Sequence, residues 1–380
     1  MRPPPYSAVR LLSLHLRDFR NAAAADLTPS VRTTVLVGPN GQGKTNLLEA
    51  IFFLATLKPL RASRLAELIR FGAERARVEG EFEGPGGTRR VAVELGAEGR
   101  TAFLDGKPLS GSDRLDDYFE GKAAVCFSPD DLLLVKGGPE LRRRFLDRAA
   151  FNRWPAVLAE AREYLRALRS RNAALRAAGS DVEESFRGPL VRAAARLLVR
   201  RHALVAELEP RATAAFREIC GGDAPSAHLA YRPASGMPPR GSEAELATRL
   251  HEILAARLTR DRERGYTSAG PHMDDLTLGL GGRGARPYAS QGQQRALVLA
   301  LKIAEIENLR ERTGSPPLLL LDDVSSELDP EKNAYLLRYL ATLPGQAFLT
   351  TTDRRLLESA AGPDAVFYRV SGGAFHRDIS

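Results

Sequence analysis

The eight residues from Gly38 to Thr45, which read GPNGQGKT, constrain the fold of this 380-residue chain more than any other feature. They match the pattern of Gly, four residues, then Gly-Lys-Thr, and lie between the apolar run Val31 to Val37 and a helical pattern. Gly41 and Gly43 allow the backbone to curl so that its N–H groups point at phosphate oxygens. The pattern predicts a phosphate-binding loop in an α/β fold, formed by Gly38, Pro39, Asn40, Gly41, Gln42, Gly43, Lys44 and Thr45.

A second strand is predicted at Leu318 to Leu321 and ends in Asp322 and Asp323. Carboxylates in that position lie at the carboxyl edge of a sheet, where α/β proteins bind ligands. We predict that Lys44 neutralises the β and γ phosphates of a bound nucleotide, and that Thr45 and Asp322 hold Mg²⁺. Kinases, GTPases, helicases and ABC proteins share this loop, so ATP as the cofactor beside Mg²⁺ follows only from a resemblance to the ABC class. The alternative for Asp-Asp after a strand is an ordinary turn.

The composition is that of an ordinary globular protein. The 55 Lys+Arg exceed the 47 Asp+Glu and give a formal charge of +8, a surplus that attracts phosphates of nucleic acid or an anionic membrane. Cys126 and Cys220 form no CxxC pair, which argues against a cysteine zinc site and suits a reducing cytoplasm. The most apolar stretch, Leu47 to Leu57, is too short to span a membrane. We expect a cytoplasmic protein without a membrane partner.

The middle of the chain, from about Trp154 to Leu208, is rich in Ala, Leu and Arg, and Gly188-Pro189 separates two helical patterns there. Apolar residues at three- and four-residue steps predict a coiled-coil seam in the first half, at Leu158, Ala161, Leu165, Leu168, Asn172 and Leu175. Steps of seven mark the second half, at Leu190, Leu197, Leu204 and at Val191, Leu198, Val205. The two helices form either a short antiparallel arm or part of a helical bundle. Helical spacing also predicts helices over Ala55 to Leu68 and Gln293 to Leu309.

The segment Tyr288 to Gln294, YASQGQQ, resembles the ABC signature, which commonly reads LSGGQ. Ser290, Gly292 and Gln293 match its Ser, second Gly and Gln. The resemblance implies an ABC-type ATPase in which two ATP molecules lie between head-to-tail subunits, with Ser290 of one subunit facing Lys44 of the other. Taken alone, Ser290 is an ordinary helix N-cap.

The residues after the acidic strand, Ser326-Glu327-Leu328-Asp329, resemble the D-loop of the same class. Asp323 then stands where ABC-type enzymes keep the acid that polarises the attacking water, so the implied catalytic residues are Lys44, Asp322 and Asp323.

Two positions depart from the transporter ATPases of this class. Their Q-loop glutamine is absent, because no Gln occurs between Gln42 and Gln291, and Ser128 stands near its place. The switch-like segment LTTTD carries Thr352 where a His is usual, and a hydroxyl does not replace imidazole in every role. Slow turnover is therefore expected.

The segment Phe127 to Asp147, FSPDDLLLVKGGPELRRRFLD, closely resembles a segment characteristic of RecF proteins. Leu320 to Leu336 resembles the second signature of that family, and Thr267 to Leu276 its Gly-Pro-His element, with Met273 where an Arg is expected. The resemblance implies an SMC-like ATPase head formed by residues 1–134 and 266–380, with an inserted helical lobe at 135–265.

RecF-like proteins dimerise on ATP, bind duplex DNA near single-strand gaps, act with RecO- and RecR-like proteins and help a RecA-type recombinase to load. The resemblance therefore implies a DNA-repair ATPase that has double-stranded and gapped DNA, a second copy of itself and these proteins as partners. One alternative is an SMC-like head that tethers DNA without a recombination role. Another is a transporter ATPase subunit, against which the missing Q-loop glutamine, Thr352 and the basic insertion argue.

Gly137-Gly138-Pro139 is predicted to start a helix whose first turns carry Arg142, Arg143 and Arg144. These arginines either bind phosphates of DNA or nucleotide, or form a solvated face. His272 is either part of the loop structure or a residue on the nucleotide side. Four further arginines lie off the apolar seam and give the predicted arm a basic flank suited to a nucleic-acid backbone: Arg162, Arg166, Arg169 and Arg176.

Overall fold

The computed structural model describes residues 9–61, 64–84, 86–109, 115–119, 122–177, 182–233, 236–238, 240–323, 328–358 and 361–378. The chain divides into two compact units, one formed by Met1–Asp131 with Glu305–Ser380 and the other by Leu132–Ala304. The first unit is mixed α/β, and the second is mainly helical with a small sheet.

The strands are β1 (Arg10–Phe19), β2 (Ala22–Leu27), β3 (Thr33–Val37), β4 (Ala76–Gly84), β5 (Gly87–Gly96), β6 (Gly99–Leu104), β7 (Lys107–Pro108), β8 (Ala124–Phe127), β9 (Ala227–Arg232), β10 (Asp275–Leu280), β11 (Arg283–Gly284), β12 (Leu318–Leu321), β13 (Ala347–Thr351), β14 (Val366–Ser371) and β15 (Ala374–Asp378). The helices are α1 (Lys44–Thr56), α2 (Leu115–Phe119), α3 (Leu133–Lys136), α4 (Pro139–Arg153), α5 (Val157–Arg176), α6 (Val182–Cys220), α7 (Glu243–Ala256), α8 (Leu258–Arg264), α9 (Ala285–Tyr288), α10 (Gln291–Thr313), α11 (Pro330–Thr342) and α12 (Arg355–Glu358).

A largely parallel sheet in the first unit positions the predicted site. Its strands lie in the order β15-β14-β3-β13-β12-β8, and every neighbouring pair is parallel except β14 with β15. All four leucines of β12 are buried, as expected of a strand covered on both faces. The strands predicted before the phosphate loop and before Asp322 are confirmed as β3 and β12. Because parallel strands end at the same edge, Gly38, Asp322 and Thr352 follow strands that end on one side of the sheet.

The second sheet of this unit is antiparallel, in the order β2-β1-β4-β5-β6-β7. Strand β4 alternates buried with partly exposed residues, so that Val78 and Phe82 enter the core. Arginines on β5 pair with carboxylates: Arg89 lies 2.8 Å from Asp105 and Arg90 lies 3.2 Å from Glu81. These two basic residues are therefore already neutralised within the unit.

Helices α5 and α6 of the second unit pack together and run antiparallel. Glu163 pairs with Arg196, while Glu160, about one turn earlier, pairs with Arg200, about one turn later. The predicted seam positions on α6 are all buried: Leu190, Leu197, Leu204, Val191, Leu198 and Val205. On α5 the seam is less complete, because Leu165 is 44% exposed. Since α6 also packs against α4, α7 and β9, the pair belongs to a helical bundle, the second of the two alternatives.

Two helix predictions are wrong. The expected helix Ala55 to Leu68 is not formed, because α1 ends at Thr56 and Leu57 turns left-handed with φ 54° two residues before Pro59. The expected break at Gly188-Pro189 does not occur either, because both residues lie inside α6. Burial of Leu190 and Val191 offsets the cost of an interior proline, which is about 3 kcal/mol. The predicted helix Gln293 to Leu309 is confirmed within α10.

The observed units differ from the expected division for residues 266–304, which belong to the compact second unit. The expected boundary at 134 lies close to the observed one at Asp131. The assignment of 1–134 and 266–380 to a head, with 135–265 as a lobe, stays a prediction. In the part of the chain that the structure describes, no helix has the length and apolar character needed to cross a bilayer.

Candidate nucleotide and catalytic site

The loop Gly38 to Thr45 connects β3 to α1, as predicted, and two glycines give it its curl. Gly41 and Gly43 have φ angles of 78° and 111°, in the left-handed region that side chains rarely adopt. Gly38 is required for another reason, since a Cβ there would lie 2.4 Å from the carbonyl oxygen of Val370. Gly43 caps α1 without a side-chain hydrogen bond, so no side chain of that residue covers the helix N-terminus, a favourable site for phosphate.

Lys44 points back into the curl of this loop. Its Nζ donates hydrogen bonds to the carbonyl oxygens of Gly38 at 2.5 Å and Pro39 at 2.9 Å, and the side chain is largely buried. Burial lowers the pKa of Lys44, while the negative charges of Asp323 and Asp322 oppose that shift. The loop therefore holds an ammonium group near two carboxylates.

Thr45 and Asp322 meet at the carboxyl edge of the parallel sheet. The Thr45 hydroxyl lies 2.7 Å and 2.9 Å from the two carboxylate oxygens of Asp322, and the Thr350 hydroxyl donates to the same carboxylate at 3.0 Å. Asp322 is buried, and its backbone N–H donates to the carbonyl of Phe127. The predicted pairing of the phosphate loop with the acidic strand is therefore observed.

These two side chains fit Mg²⁺. A hydroxyl and a carboxylate within hydrogen-bond distance of each other are hard oxygen donors, and Mg²⁺ commonly takes only one or two protein ligands beside water and phosphate oxygens. Among the described residues no group of three or more His, Cys, Asp and Glu could hold a metal.

Asp323 takes a left-handed conformation with φ 46°, and its backbone N–H donates to the Thr350 hydroxyl at 2.8 Å. Thr350 thus contacts both acidic residues, through the side chain of one and the backbone of the other. A non-glycine residue at positive φ is uncommon, though Asp is among the side chains that tolerate it best. The turn fixes where the Asp323 side chain leaves the strand.

Arg61 is one residue of this site that the sequence patterns did not single out, and Thr350, within the LTTTD segment, is another. Its guanidinium lies 2.9 Å from Asp322 and 3.7 Å from Asp130, and its backbone N–H donates to the buried carboxylate of Glu49 at 3.0 Å. Arg20 pairs with the same Glu49 at 2.7 Å. Arg61 lies in the stretch predicted to be helical, where no motif marks an arginine. The one indirect signal was Asp130, which belongs to the recognised Phe127 to Asp147 segment.

The other residues compared with ABC motifs in the first unit have local roles. Ser128 makes no hydrogen bond to Thr45 or Asp322. Its backbone N–H donates to the Asp131 carboxylate at 2.7 Å. Thr352 is exposed. Asp329 caps α11 by accepting from the Lys332 N–H at 3.0 Å, and the predicted D-loop residues Ser326 and Glu327 lie outside the described residues.

Ser290 lies at the start of α10 in the second unit and forms a capping box. Its hydroxyl accepts from the Gln293 N–H at 3.2 Å, and the Gln293 side chain accepts from the Ser290 N–H at 2.9 Å. The N-cap role of Ser290 is thereby confirmed. Ser290 is exposed and Gly292 is partly exposed, so this helix start is accessible on the unit's surface.

The structure argues against Arg142 as a DNA contact. Arg142 is buried and donates two hydrogen bonds to the Asp275 carboxylate, of 2.7 Å and 3.0 Å. It also donates to two backbone carbonyls. Arg143 donates to the Asp274 carbonyl, and exposed Arg144 pairs with Glu140 at 2.7 Å. The position of Arg142 therefore suits internal bracing, and the DNA role of Arg143 and Arg144 stays a prediction.

His272 is built into the loop that carries it. Its Nε2 lies 2.9 Å from the carbonyl of Thr267, which only accepts, so Nε2 carries the proton and Nδ1 accepts from the Tyr164 hydroxyl at 2.5 Å. Burial lowers the pKa of His272, while the hydrogen bond to Thr267 opposes that shift. The loop-structure interpretation accounts for both ring nitrogens.

The fold and the site together define an ATPase head of the ABC/SMC class. The family model described as RecF/RecN/SMC N terminal domain matches residues 10–373. A DNA replication and repair protein RecF from Anaeromyxobacter dehalogenans (strain 2CP-1 / ATCC BAA-258) is 73% identical over 365 residues, covering 96% of this chain and 98% of the relative. The chain belongs to the RecF family of DNA replication and repair proteins.

More distant relatives match nearly the whole chain. The DNA replication and repair protein RecF of Myxococcus xanthus (strain DK1622) is 57% identical over 371 residues, covering 96% of both chains. A solved structure of the recombination mediator protein RecF with ATP, from the RecFOR pathway, is 28% identical and superimposes with a TM-score of 0.87 over 98% of each chain. The recognised RecF and ABC/SMC character is therefore confirmed across nearly the whole chain.

Proposed function

We propose that this chain is an ATP-dependent DNA-binding repair protein. ATP joins two copies head to tail, and the dimer closes on duplex DNA near single-strand gaps and helps a RecA-type recombinase to load. RecO- and RecR-like proteins are its expected partners, and the cytoplasm its expected compartment. Support comes from membership in the RecF family and from the similar recombination mediator protein RecF of the RecFOR pathway.

The contact of Thr45 with Asp322 is the observation that carries the proposal. It joins the start of α1 to the end of β12 at 2.7 Å, and it brings the hydroxyl and the carboxylate expected at the metal side of a bound ATP together. Lys44 and the loop N–H groups would bind the β and γ phosphates from the other side. When bound, Mg²⁺ would neutralise charge on those phosphate oxygens.

Asp323 is the proposed acid that orients and polarises the attacking water. Asp323 directly follows Asp322 in the sequence, and its negative charge raises the pKa of the Lys44 ammonium, against the effect of burial. Transfer of the γ-phosphoryl group to water cleaves the bond to the β-phosphate oxygen and yields ADP and phosphate. Loss of the bridging γ-phosphate removes the charge that joins the two copies, so the dimer opens.

The second copy is proposed to contribute Ser290 and the N-terminus of α10. A long helix gathers partial positive charge at its start, and the exposed hydroxyl and N–H groups there suit a γ-phosphate held by Lys44 of the other copy. ATP is then bound tightly only when two copies meet.

Light scattering with a slowly hydrolysed ATP analogue tests the dimer. We expect the wild type to change from monomer to dimer, and Ser290→Arg to stay monomeric because its added charge and bulk enter the phosphate interface. Ala97→Arg adds the same charge at an exposed turn and serves as the matched control, which should dimerise. Full dimerisation of Ser290→Arg with the analogue would overturn the proposed arrangement.

Binding to gapped duplex DNA across a salt series, followed by recombinase filament formation on the same DNA, tests the repair role. The wild type with ATP should bind in a salt-sensitive way and speed filament growth. Lys44→Arg should keep some ATP binding but block release from DNA. A dimer that ignores DNA would leave the ATPase assignment in place and remove the repair function.

A further inference from the structure

Four arginines form a straight row on α5, which we call the α5 arginine row: Arg162, Arg166, Arg169 and Arg176. All four are exposed. Their spacing of four, three and seven residues keeps them within an arc of about 80° on the helix surface, over a length of about 21 Å. The row is therefore a narrow basic line along one face of the helix.

None of the four makes a hydrogen bond or ion pair with any other residue that the structure describes. The two carboxylates of the same helix pair with α6 instead: Glu160 with Arg200 and Glu163 with Arg196. On β5, by contrast, exposed arginines are matched by carboxylates. The charge of the α5 arginine row is thus left for a partner outside this unit.

The opposite face of α5 anchors the row. Tyr164, Leu168 and Leu175 are buried there, and the fully buried Arg171 pairs with Glu183 at 2.6 Å and Asp261 at 2.9 Å. A helix fixed in this way presents its exposed charges at set spacings, so less conformational entropy is lost when a ligand binds.

The basic surface continues past the end of α5. A Cβ at Gly265 would lie 2.9 Å from the Arg176 side chain, so the last arginine of the row lies beside the C-terminus of α8. Exposed Arg260 and Arg264 belong to that short helix. These arginines add positive charge near this end of the row, where Arg264 also donates to the hydroxyl of the exposed Tyr266 at 3.5 Å.

The row fits a regular polyanion. One DNA strand carries a phosphate about every 3.4 Å along the helix axis, so a line of about 21 Å faces about six of them. Helix α5 offers no exposed aromatic side chain for base stacking, which single-strand binders use, because its one aromatic residue, Tyr164, is buried. We propose that the α5 arginine row binds the phosphate backbone of duplex DNA without reading sequence, an inference that rests on the proposed DNA-binding function.

The test measures binding to a labelled duplex, and to a single strand of the same length, over a salt series with the ATP analogue present. In Arg166→Ala/Arg169→Ala, the slope of log affinity against log salt should flatten by about 1.8, because each lost phosphate contact releases about 0.9 counterion fewer. Arg166→Lys/Arg169→Lys keeps both charges and should keep the slope. Arg89→Ala/Arg90→Ala removes two charges that are paired within β5 and its neighbours, and should also keep it.

The dimer measurement separates this proposal from the function on which it rests. All variants should dimerise with the ATP analogue, since the row lies outside the nucleotide residues. The wild-type dimer must first bind the duplex in a salt-sensitive way. If the slope of the double alanine variant is then unchanged, the DNA-binding role of the α5 arginine row is overturned and the proposed function stands. A flatter slope for the single strand alone would overturn the duplex assignment. A wild type that binds no DNA would remove both.

Discussion

The guanidinium of Arg61 lies 2.9 Å from the carboxylate of Asp322, to which the Thr45 hydroxyl also donates. The backbone of Arg61 is fixed by its hydrogen bond to Glu49, a buried residue of α1 that pairs with Arg20. A positive group is therefore held beside the proposed Mg²⁺ ligands by Glu49 of α1, the helix that follows the phosphate loop.

We expect Arg61→Ala to lower kcat for ATP hydrolysis by about 10²-fold while ATP binding is kept, because a fixed positive charge near the reacting phosphate acts mainly on the transition state. Arg61→Lys should retain part of the rate. Steady-state hydrolysis and binding of a fluorescent ATP analogue measure the two effects. Arg64→Ala, at an exposed arginine three residues later, should match the wild type. A large rise in KM with unchanged kcat would contradict the role.

Thr45→Ala should raise the Mg²⁺ concentration needed for half-maximal hydrolysis by about ten-fold or more, because it removes one of the two oxygen donors. Thr45→Ser keeps the hydroxyl and should stay close to wild type. Chelation of Mg²⁺ should stop hydrolysis in all three proteins. The measurement is a Mg²⁺ titration at saturating ATP, and coincident curves for Thr45→Ala and Thr45→Ser would show that the hydroxyl does not contact the metal.

Asp323→Asn should reduce kcat by about 10²- to 10⁴-fold, because an amide cannot accept the proton of the attacking water. The left-handed backbone at this position tolerates Asn, so the fold should persist. ATP-dependent dimers should form and last longer than those of the wild type. Asp364→Asn is the matched control at an exposed acid. Normal turnover by Asp323→Asn would transfer the acid role to another residue.

The sequence predicted the phosphate side of the site well, because a short contiguous motif sets it. Gly41 and Gly43 predict the left-handed turns of the loop, and the apolar run of β12 predicts that Asp322 follows a buried strand. Because β3, β13 and β12 are parallel, the contact of Thr45 with Asp322 could be expected at their common edge. Arg61 could not be predicted in this way. Its place depends on where α1 ends, and the apolar spacing beyond Thr56 suggested a longer helix.

The second unit was harder, because long-range polar contacts leave no periodic signal. No sequence pattern singled out Arg171, yet it is fully buried among Glu183, Asp261 and Thr267. Arg142 looked like a surface residue and is instead paired with Asp275. Charged residues are rarely buried unless oppositely charged partners contact them in the folded protein. Such partners are far apart in the sequence, so the sequence pattern does not reveal the pairing.

The buried Arg171 cluster should dominate the stability of the second unit. Arg171→Met leaves Glu183 and Asp261 as buried charges without this partner, which costs about 3–5 kcal/mol of the free energy of unfolding. Urea unfolding followed by the fluorescence of Trp154, the one tryptophan of the chain, measures the second unit. Arg249→Met removes an exposed pair with Glu252 and should cost about 0–1 kcal/mol. Equal losses for both variants would contradict the importance of burial.

His202 gives the second unit a dependence on pH. Its ring nitrogens are buried without hydrogen-bond partners among the described residues, and the ring packs edge-on against Tyr231 at 4.8 Å. Burial, with the charge of Arg240, lowers the pKa of His202 to about 4. The unfolded chain, with a histidine pKa of about 6.5, therefore binds more protons between these values. The free energy of unfolding must fall as pH falls from about 6.5 to about 4.

His202→Phe should flatten that fall, because phenylalanine keeps the aromatic packing on Tyr231 and cannot bind a proton. Burial lowers the pKa of His272 as well, so part of the pH dependence should remain in the variant. Urea unfolding of both proteins, followed through Trp154 at several pH values from 7.5 to 4, gives the comparison. Above the unfolded pKa both histidines are neutral in both states, so the two proteins should differ there only by packing. Parallel curves through the acid range would mean that His202 has the same pKa in the folded and the unfolded chain, which would contradict the lowered pKa.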